Sequence, residues 1–505
     1  MSTHYDVLII GSGQAGNPLG SAFAKAGLKT ALAEAIHFGG TCVNDGCVPT
    51  KTIVGSARVA YLTRKAAHYG VGLPGGKEGE ETDITISMDR VKQRKNALIS
   101  AFSARNENTL TNDGVDILNG SAKFVDAKTV HITPRGDKGE EKTVTADKII
   151  INTGERPIIP DLEGLDRSAD FVLDSTAILD IGVVPTHLVV VGGGVIGLEF
   201  SQIFRRFGSK VTIVQRGKQL LPREDPEIAE ALLKILEEDG IEILLQAKAT
   251  SIKTLPDTGS TEPHPRFELS VQKGHDSTTS IVKGTHILFA AGRTANIDTL
   301  DVEAAGIHKT PRGHIQANSR LETNIPHIYA VGDVKGGPAF THISYDDHRI
   351  LRANLIDNPK AQKEGGPTKP DKSTHARALI IPSVTYTDPQ LGHVGLHEAE
   401  ARAKYPDLKI QTASMPMAYV ARALETDEAR GLMKAVVVAD EPTGGEGPKA
   451  GQILGFTCLG IEGGEVMSVV QAAMMGGVTW MQLRDAVWAH PSLAESLNNV
   501  WGFLK

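Results

Sequence analysis

Two cysteines, Cys42 and Cys47, are the residues whose type and spacing most directly suggest redox chemistry in this chain of 505 residues. The chain has 3 cysteines, which are too few for a disulfide scaffold, and the third is Cys458. A close pair in such a chain is more often catalytic or metal-binding than structural. Pro49 and the helical pattern after it place Cys47 near a helix start, where a thiolate is favoured. One turn of chain can bring both sulfurs together, which predicts a redox-active dithiol.

Two alternatives for the cysteine pair are a zinc site and a pair of structural thiols. Zinc usually needs four Cys or His ligands. His37 is nearby, but the sequence has no second cysteine pair, so no metal is expected there. The segment 39–51 follows directly on a strand pattern that ends at Glu34, which argues against a purely structural pair. Cys458 lies in an apolar, strand-like run and is expected to be a buried core thiol.

A glycine-rich turn precedes the cysteines and predicts a dinucleotide site. The apolar run before Gly11 is followed by Gly13 and Gly16 and then by a helical pattern. Such glycines permit a tight turn, close approach of a pyrophosphate and close packing of helix on strand. The next strand pattern ends at Glu34, where an acid is expected to bind ribose hydroxyls. A surface turn rich in glycine is the weaker alternative.

The same pattern occurs a second time, at Gly192, Gly194 and Gly197, and indicates a domain duplication. Here the second strand ends at Gln215 instead of an acid, and Arg216 and Lys218 follow. An acid would repel a 2′-phosphate, whereas Arg accommodates one. The sequence therefore predicts NADPH in preference to NADH. In the alternative interpretation, Arg216 and Lys218 only occupy a solvated loop.

The remaining pattern predicts an α/β chain with two Rossmann-like dinucleotide-binding domains and a C-terminal α+β domain. Residues 358–375 are expected to form a linker between the alternating strands and helices and the C-terminal part. Beyond it we expect strands at 376–386, 410–416 and 435–438, and helices at 464–475 and 480–489.

Charge and hydropathy exclude several classes of partner. A formal net charge of −7 argues against nucleic acid, whose binding needs a basic face, and gives no support for anionic membranes. No apolar run approaches the roughly 18 residues of a membrane span. The sequence enters an apolar strand at residues 7–10 with no signal peptide before it, so a cytoplasmic location is expected.

With these motifs, the chain resembles the class I pyridine nucleotide–disulfide oxidoreductases, which include glutathione reductase, dihydrolipoamide dehydrogenase and mercuric reductase. The resemblance covers nearly the whole chain. The segments that carry it, besides the cysteines and glycines, are 153–157 (TGERP), 290–293 (AAGR), 329–334 (YAVGDV), 385–389 (TYTDP) with Val394 and Gly395, and 490–495 (HPSLAE).

The resemblance implies FAD and a nicotinamide cofactor as electron carriers and a homodimer. Cys47 would be the flavin-proximal sulfur, Cys42 the interchange thiol, and His490, oriented by Glu495, would serve the partner's site. Lys51 and Glu199 resemble an ion pair beside the flavin. The expected cofactor contacts are Gly11, Gly13, Gly16, Glu34, Thr41, Lys51, Ala122, Thr153, Gly154, Asp333 and Thr341 for FAD, and Gly192, Gly194, Gly197, Gln215, Arg216, Lys218, Gly292 and Arg293 for the nicotinamide side. The implied domains are 1–158 with 286–357 for FAD, 159–285 for NAD(P), and 375–505 for dimerisation.

The substrate is less well specified. The segments 340–349 and 490–499 look most like the mercuric-reductase-like branch that contains the reactive-chlorine-resistance copper(II) reductase, and soft thiolates suit such metals. We therefore expect an NAD(P)H-dependent reductase of a disulfide or of a thiophilic metal ion. Alternatives are a dithiol oxidase, a dihydrolipoamide dehydrogenase-like activity, and a flavin-bearing redox sensor without turnover. His342 and His348 are extra histidines, expected more often to pack than to bind metal.

Overall fold

The computed structural model describes residues 3–72, 83–136, 139–256, 264–274, 278–363, 370–439 and 447–505. The chain divides into two compact units. Unit 1 contains Met1–Ile53, Asp89–Ile158 and Gly292–Ala376, and unit 2 contains Val54–Met88, Ile159–Ala291 and Arg377–Lys505.

The strands are numbered along the described parts of the chain. They are β1 (Thr3–Ile10), β2 (Thr30–Glu34), β3 (Asp116–Phe124), β4 (Thr129–Pro134), β5 (Lys142–Ile151), β6 (Glu155–Pro157), β7 (Val172–Leu173), β8 (His187–Val191), β9 (Lys210–Val214), β10 (Glu242–Leu244), β11 (Ala247–Thr254), β12 (Phe267–Lys273), β13 (Thr278–Gly284), β14 (His286–Phe289), β15 (Arg293–Ala295), β16 (Ile328–Ala330), β17 (Pro382–Thr385), β18 (Gln390–Gly395), β19 (Ile410–Pro416), β20 (Leu432–Val438) and β21 (Ile453–Gly460).

The helices are numbered in the same way. They are α1 (Gly16–Lys25), α2 (Gly40–Asn44), α3 (Cys47–Arg64), α4 (Met88–Asn112), α5 (Val195–Phe207), α6 (Pro226–Glu238), α7 (Thr341–Arg352), α8 (Asn358–Lys363), α9 (Glu398–Lys404), α10 (Ala421–Glu425), α11 (Gly463–Met475), α12 (Trp480–Asp485) and α13 (Ser496–Asn499).

Unit 1 is built on a sheet whose centre is fully buried. β1 pairs in parallel with β2 and β5, β2 pairs in parallel with β3, and β16 pairs in parallel with β5. Every residue of β2 is buried, as expected for a parallel strand covered on both faces. β3, β4 and β5 also form an antiparallel meander, and β3 alternates buried and exposed residues with period two. The carboxyl ends of β1 and β2 therefore present the first glycine turn and Glu34 at one edge.

Unit 2 contains a second parallel sheet, with the strand order β10-β9-β8-β14-β7. The apolar sequence of β8 explains its central place, because Leu188, Val189 and Val190 are all fully buried. β11, β12 and β13 add a three-stranded antiparallel sheet. The parallel sheet again presents a glycine turn, Gly192 to Gly197, at the carboxyl end of its central strand.

The C-terminal part of unit 2 is an antiparallel sheet of order β17-β18-β21-β20-β19, which α11 covers. Every residue of β21 is buried, including Cys458, so the prediction of a core thiol is confirmed. The predicted α/β fold with a C-terminal α+β domain is thus confirmed.

Three boundaries in the C-terminal half differ from the sequence predictions. Part of the expected linker is helical, because α8 covers Asn358–Lys363, while 364–369 lie outside the described residues. β17 is four residues long and does not fill the predicted strand 376–386. α12 ends at Asp485, and its C-cap Ala486 is extended, so the predicted helix 480–489 is too long. Short apolar runs specify element type better than element ends.

Among the described residues, no helix combines the length and the apolar sequence that crossing a membrane requires.

Candidate active site

The two cysteines lie in two consecutive helices, at positions that both belong to unit 1. Cys42 lies in the single turn of α2, and Cys47 is the first residue of α3. Both are thiols, and a hydrogen bond joins them. That hydrogen bond, followed by burial, raises the pKa of the Cys42 thiol, and Thr341 and Lys51 oppose the shift only in part. Cys42 therefore keeps its proton until a base removes it.

Cys47 lies beside a second helix start that the sequence pattern did not reveal. Its sulfur is 3.4 Å from Oγ1 of Thr341, the first residue of α7. Helix N-termini carry a partial positive charge and favour an anion. With α3 and α7 both beginning at this point, the negative charge of the reduced pair is better stabilised on Cys47 than on Cys42.

Polar side chains fix the short segment between the cysteines. The amide of Asn44 donates hydrogen bonds to the carbonyls of Phe38 and Gly40, both at 2.9 Å. Nε2 of His37 lies 2.9 Å from Oδ2 of Asp45. These contacts attach the Cys42–Cys47 segment to the chain that precedes it. His37 is therefore a positioning residue for this segment.

We expect the His37–Asp45 pair to make stability depend on pH. The hydrogen bond with Asp45 raises the pKa of His37 above its usual 6.5. A raised histidine pKa stabilises the fold fully below about pH 6.5, and the contribution disappears as the pH rises through the folded-state pKa. The thermal unfolding midpoint of the wild type should therefore exceed that of a His37→Asn variant by more at about pH 5.5 than at about pH 8.5. An equal difference at both values would contradict the assignment.

The first glycine turn is tied to Glu34 and to the cysteine segment. Gly11 has φ +102°, and a Cβ there would lie 2.4 Å from the carbonyl oxygen of Asn152, so glycine is required. The backbone N–H of Ser12 donates to Glu34 Oε2 at 2.9 Å, and the Ser12 hydroxyl donates to the same atom at 2.6 Å. The N–H of Gly39, before α2, donates to that hydroxyl at 3.2 Å. Ser12 thus connects the turn to the helix that carries Cys42.

The residues around this turn fit a bound dinucleotide. The hydroxyl oxygen of Thr153 is buried and has no hydrogen-bond partner among the described residues. A buried polar atom of this kind usually finds a partner, which a ligand can provide. Burial, reinforced by the charge of Glu155, raises the pKa of Asp333 to about 6, and Arg293 and Lys335 oppose that shift. Asp333 therefore lies among charged groups of both signs.

The second glycine turn, in unit 2, has the same geometry as the first. Gly192 has φ +120°, and a Cβ there would lie 2.4 Å from the carbonyl oxygen of Ala290. The side-chain oxygen of Gln215 accepts from the N–H of Gly193 at 3.1 Å, a contact like that of Glu34 with Ser12. Arg216 and Lys218 follow with exposed side chains. Gln215 therefore makes the hydrogen bond to the glycine turn that Glu34 makes in unit 1, but it carries no charge.

A two-stranded ribbon holds two predicted cofactor segments of unit 1 together. β6 and β15 pair antiparallel, with Arg293 opposite Pro157, and the N–H of Ile158 donates to the carbonyl of Gly292 at 3.0 Å. The guanidinium of Arg293 donates to the carbonyl of Glu155 at 2.6 Å. Gly292 lies at the end of the ribbon beside Ile158, and Gly154 lies at the opposite end, where its carbonyl accepts the N–H of Asn296 at 2.9 Å.

The remaining predicted residues occupy several places. Thr41 lies in α2 and accepts the N–H of Asp45 on its carbonyl at 2.9 Å, and Ala122 is buried in β3. In unit 2, the buried carboxylate of Glu199 accepts the N–H of Tyr386 at 2.9 Å. Its pairing with Lys51 stays a prediction.

The C-terminal motif forms a histidine–carboxylate pair. Nδ1 of His490 lies 2.9 Å and 3.0 Å from the two oxygens of Glu495. The His490 side chain is 68% exposed, and that of Glu495 is 29% exposed, so the imidazole faces outward while its partner is more enclosed. A carboxylate on Nδ1 leaves Nε2 to exchange a proton with another group.

The chain belongs to the pyridine nucleotide-disulphide oxidoreductase family. The family's main domain model matches residues 5–347, and the model of its dimerisation domain matches residues 381–500. The family is FAD-dependent and uses NAD(P)H. The chain is therefore a flavoprotein oxidoreductase of this family, as its motifs predicted.

Relatives and solved structures agree with this assignment. The chain is 33% identical to the probable pyridine nucleotide-disulfide oxidoreductase RclA of Escherichia coli, over 99% of both chains. It is 31% identical to a mercuric reductase of Lysinibacillus sphaericus, over 98% of this chain and 81% of the relative. A structure described as the Cu(II) complex of the HOCl-induced flavoprotein disulfide reductase RclA from E. coli is similar with a TM-score of 0.82, at 32% identity and full coverage of both chains.

Sequence reasoning missed the residues that support the site. Ser12, Asn44 and Asn152 were not singled out, although Asn152 donates to the carbonyl of Gly11 at 3.1 Å. Ser12 and Asn44 stand inside the two motifs, and a polar residue between required glycines or cysteines was a usable signal. Asn152 precedes Thr153, but no sequence motif or residue spacing indicated its role. Its role follows from the parallel pairing of β1 with β5.

Proposed function

We propose that this protein transfers an electron pair from NAD(P)H to the Cys42–Cys47 disulfide and onward to a disulfide or a thiophilic metal ion of the Cu(II) or Hg(II) kind. The observation that best supports this proposal is the asymmetry of the cysteine pair. The hydrogen bond to Cys47 favours the protonated thiol at Cys42, while Cys47 lies at the N-termini of α3 and α7. Such a pair has one sulfur suited to store charge and one suited to attack an acceptor once deprotonated.

The proposed FAD site contains Gly11, Gly13, Gly16, Glu34, Thr41, Lys51, Ala122, Thr153, Gly154, Asp333 and Thr341. Flavin, when bound, supplies the two-electron step between nicotinamide and disulfide. The chain's own part is to hold the pyrophosphate over the α1 N-terminus, to offer Glu34 to the ribose and to keep Cys47 as the stabilised thiolate. The orphaned hydroxyl of Thr153 supports this placement.

The proposed base is the His490–Glu495 pair of the other subunit in a homodimer. Its support is the 2.9 Å contact, which orients the exposed imidazole, together with the match of residues 381–500 to the dimerisation domain. His490 would take the proton of Cys42 before attack and return it to the leaving thiol. In this proposal the FAD domain covers 1–158 and 286–357, the NAD(P) domain 159–285 and the dimerisation domain 375–505. A cytoplasmic location stays a prediction.

The nicotinamide preference can be tested on the loop after β9. We propose NADPH, because Gln215 keeps the bond to Gly193 without a carboxylate, and because Arg216 and Lys218 are exposed there. The remaining proposed contacts of this cofactor are Gly192, Gly194, Gly197, Gly292 and Arg293. The Arg216→Glu change should lower kcat/KM for NADPH at least about tenfold, since it removes a charge-assisted contact and adds repulsion. The kcat/KM for NADH should change little.

Lys234→Glu is the matched control, because it makes the same charge change at an exposed position of α6. Its ratio of NADPH to NADH activity should equal that of the wild type. Equal losses with both cofactors in Arg216→Glu, or a wild-type preference for NADH, would contradict the proposal.

The acceptor is best identified by an NADPH-oxidation screen under anaerobic conditions. It should include oxidised glutathione, lipoamide, cystine-like disulfides, Cu(II), Hg(II) and quinones. Turnover with a disulfide or a thiophilic metal that is lost in Cys42→Ser supports the proposal. Turnover with quinones alone, unaffected by that substitution, would show that the cysteines take no part.

The reverse direction, dithiol oxidation, is a second candidate. It is favoured by the 30% identity to a dihydrolipoyl dehydrogenase of Bacillus subtilis, over 97% of this chain and 96% of the relative. Reduction of NAD⁺ or NADP⁺ by dihydrolipoamide, measured in the same preparation, separates the two directions. A redox sensor without turnover would show neither activity.

A further inference from the structure

A cluster of metal-binding side chain types lies in unit 2, outside the residues assigned above. Glu224 precedes α6, His393 lies in β18, and His397 stands at the N-cap position of α9. Each offers one ligand atom within 4.8 Å of those of the other two. We propose that Glu224, His393 and His397 bind a divalent transition-metal ion of the Zn²⁺ class.

Two atoms of the cluster are buried without hydrogen bonds. These are Oε2 of Glu224 and Nδ1 of His397, which have no hydrogen-bond partner among the described residues and lie 3.8 Å apart. Both side chains are nearly enclosed, with 13% and 11% exposed. A buried carboxylate oxygen and an imidazole nitrogen without partners cost free energy. A cation between them would satisfy both.

His393 has the second contact that is typical of a metal-binding imidazole. Its Nε2 lies 3.2 Å from the carbonyl oxygen of Gly395, which can only accept, so Nε2 carries the hydrogen. Nδ1 is then a neutral acceptor, 2.8 Å from the hydroxyl of Thr457. Metal-bound histidines commonly donate their other N–H to a backbone carbonyl in this way. On metal binding, Nδ1 would exchange the Thr457 hydroxyl for the ion.

The geometry of the two imidazoles disfavours charge on both of them, and a histidine binds metal through a neutral ring. Their rings are stacked, with centroids 3.9 Å apart and planes at 11°. Two imidazolium ions at this separation would repel each other strongly.

The surrounding charge also favours a cation. Lys434 and Arg402 are cations near the cluster. Asp225, Glu227 and Glu398 contact Lys434 at 3.1, 2.7 and 2.8 Å, and Glu398 also contacts Arg402 at 2.9 Å. Glu224 and Glu400 are two further carboxylates. Glu400 accepts a hydrogen bond from the backbone N–H of His397 at 3.1 Å. The five carboxylates therefore outnumber these cations around the cluster.

Binding requires a small local rearrangement. Around Zn²⁺, with bonds of about 2.0–2.1 Å, tetrahedral ligand atoms lie roughly 3.4 Å apart, so the three side chains must move inward. An imidazole binds metal in the plane of its ring, and one of the two stacked rings must therefore rotate. Two histidines and one carboxylate leave a fourth position for water. Nitrogen and oxygen ligands suit Zn²⁺, Co²⁺, Ni²⁺ and Cu²⁺ rather than Ca²⁺.

The test measures Zn²⁺ binding to full-length, FAD-loaded protein without a histidine tag. Cys42→Ser and Cys47→Ser are present throughout, because those thiolates would otherwise bind the ion. Equilibrium dialysis against a competing chelator should find one Zn²⁺ per chain. Glu224→Gln and His397→Ser should each weaken binding at least about tenfold, since even outer partners of a metal cost 10–100-fold. Serine at 397 keeps a good helix cap.

Glu227→Gln is the matched control, because it removes a neighbouring carboxylate that contacts Lys434 and not the cluster. It should change Zn²⁺ affinity by no more than about twofold. Zn²⁺ should also raise the thermal unfolding midpoint of the protein with the two serine substitutions, and of its Glu227→Gln variant, but not of its Glu224→Gln variant. Less than one Zn²⁺ bound per chain, or Zn²⁺ affinity in Glu224→Gln and His397→Ser that is unchanged from the parent protein, would overturn the proposal. If one of these two variants does not fold, judged by circular dichroism, the other decides the result.

Discussion

Cys42→Ser is expected to abolish acceptor reduction, lowering kcat at least about a thousandfold, as loss of a covalent nucleophile does. The reason is the geometry of the pair. Cys42 is held in the turn of α2 as the protonated partner of Cys47, and a serine there cannot form a disulfide or a mixed disulfide. Cys47 and the nucleotide turns are unchanged by the substitution. NADPH should therefore still bleach the flavin absorbance in a single anaerobic turnover.

Cys458→Ala is the control for Cys42→Ser. Cys458 is fully buried in β21, and burial raises its pKa to about 12, so it takes no part in thiolate chemistry at neutral pH. The control should keep wild-type kcat with some loss of thermal stability from the small cavity. Turnover by Cys42→Ser within tenfold of the wild type, with the same acceptor, would exclude Cys42 as the interchange thiol.

His490→Gln should lower kcat for acceptor reduction about 10²–10⁴-fold, the usual contribution of a positioned acid or base. The substitution leaves flavin reduction by NADPH intact, because His490 is assigned only to the proton of Cys42. Glu495→Gln should have a smaller effect, because Glu495 acts through His490 and is a positioning residue. Its pH–rate profile should shift, whereas a merely structural role would change amplitude alone.

A mixing experiment tests whether His490 acts across a dimer. Cys42→Ser and His490→Gln chains are each expected to be inactive. In a hybrid dimer, one site would combine an intact Cys42 with an intact His490 from the partner. Random mixing of equal amounts, half of it hybrid, should restore about a quarter of wild-type activity. No recovery after demonstrated subunit exchange would place His490 in its own chain's site.

The sequence predicted those parts of the site that lie within single motifs. The turns at Gly11 and Gly192 were identified because a buried strand, a tight turn and a helix follow each other directly in the chain. The helix start near Cys47 was predicted from Pro49 and the helical pattern that follows it. The pairing of His490 with Glu495 is local as well, and the structure places their atoms at 2.9 Å.

Contacts between distant segments could not be predicted in this way. Thr341 was expected only as a cofactor contact, whereas the position of its hydroxyl beside Cys47 depends on how α7 packs in unit 1. The Glu224, His393 and His397 cluster also has no sequence motif. His393 and His397 lie on either side of the end of β18 at Gly395, whose φ of +91° few other residues adopt. Glu224 reaches them from a loop before α6.

The β6–β15 ribbon makes the middle of the chain a module with joined ends. The chain leaves this ribbon at Ile158 and returns at Gly292, and these two residues share a hydrogen bond of 3.0 Å. The segment between these two residues therefore begins and ends at the same place in the ribbon. The entropic cost of closing such a segment rises only slowly with its length. A segment inserted this way can be exchanged between relatives, or acquire a new nucleotide preference, without changing the register of the β1 sheet.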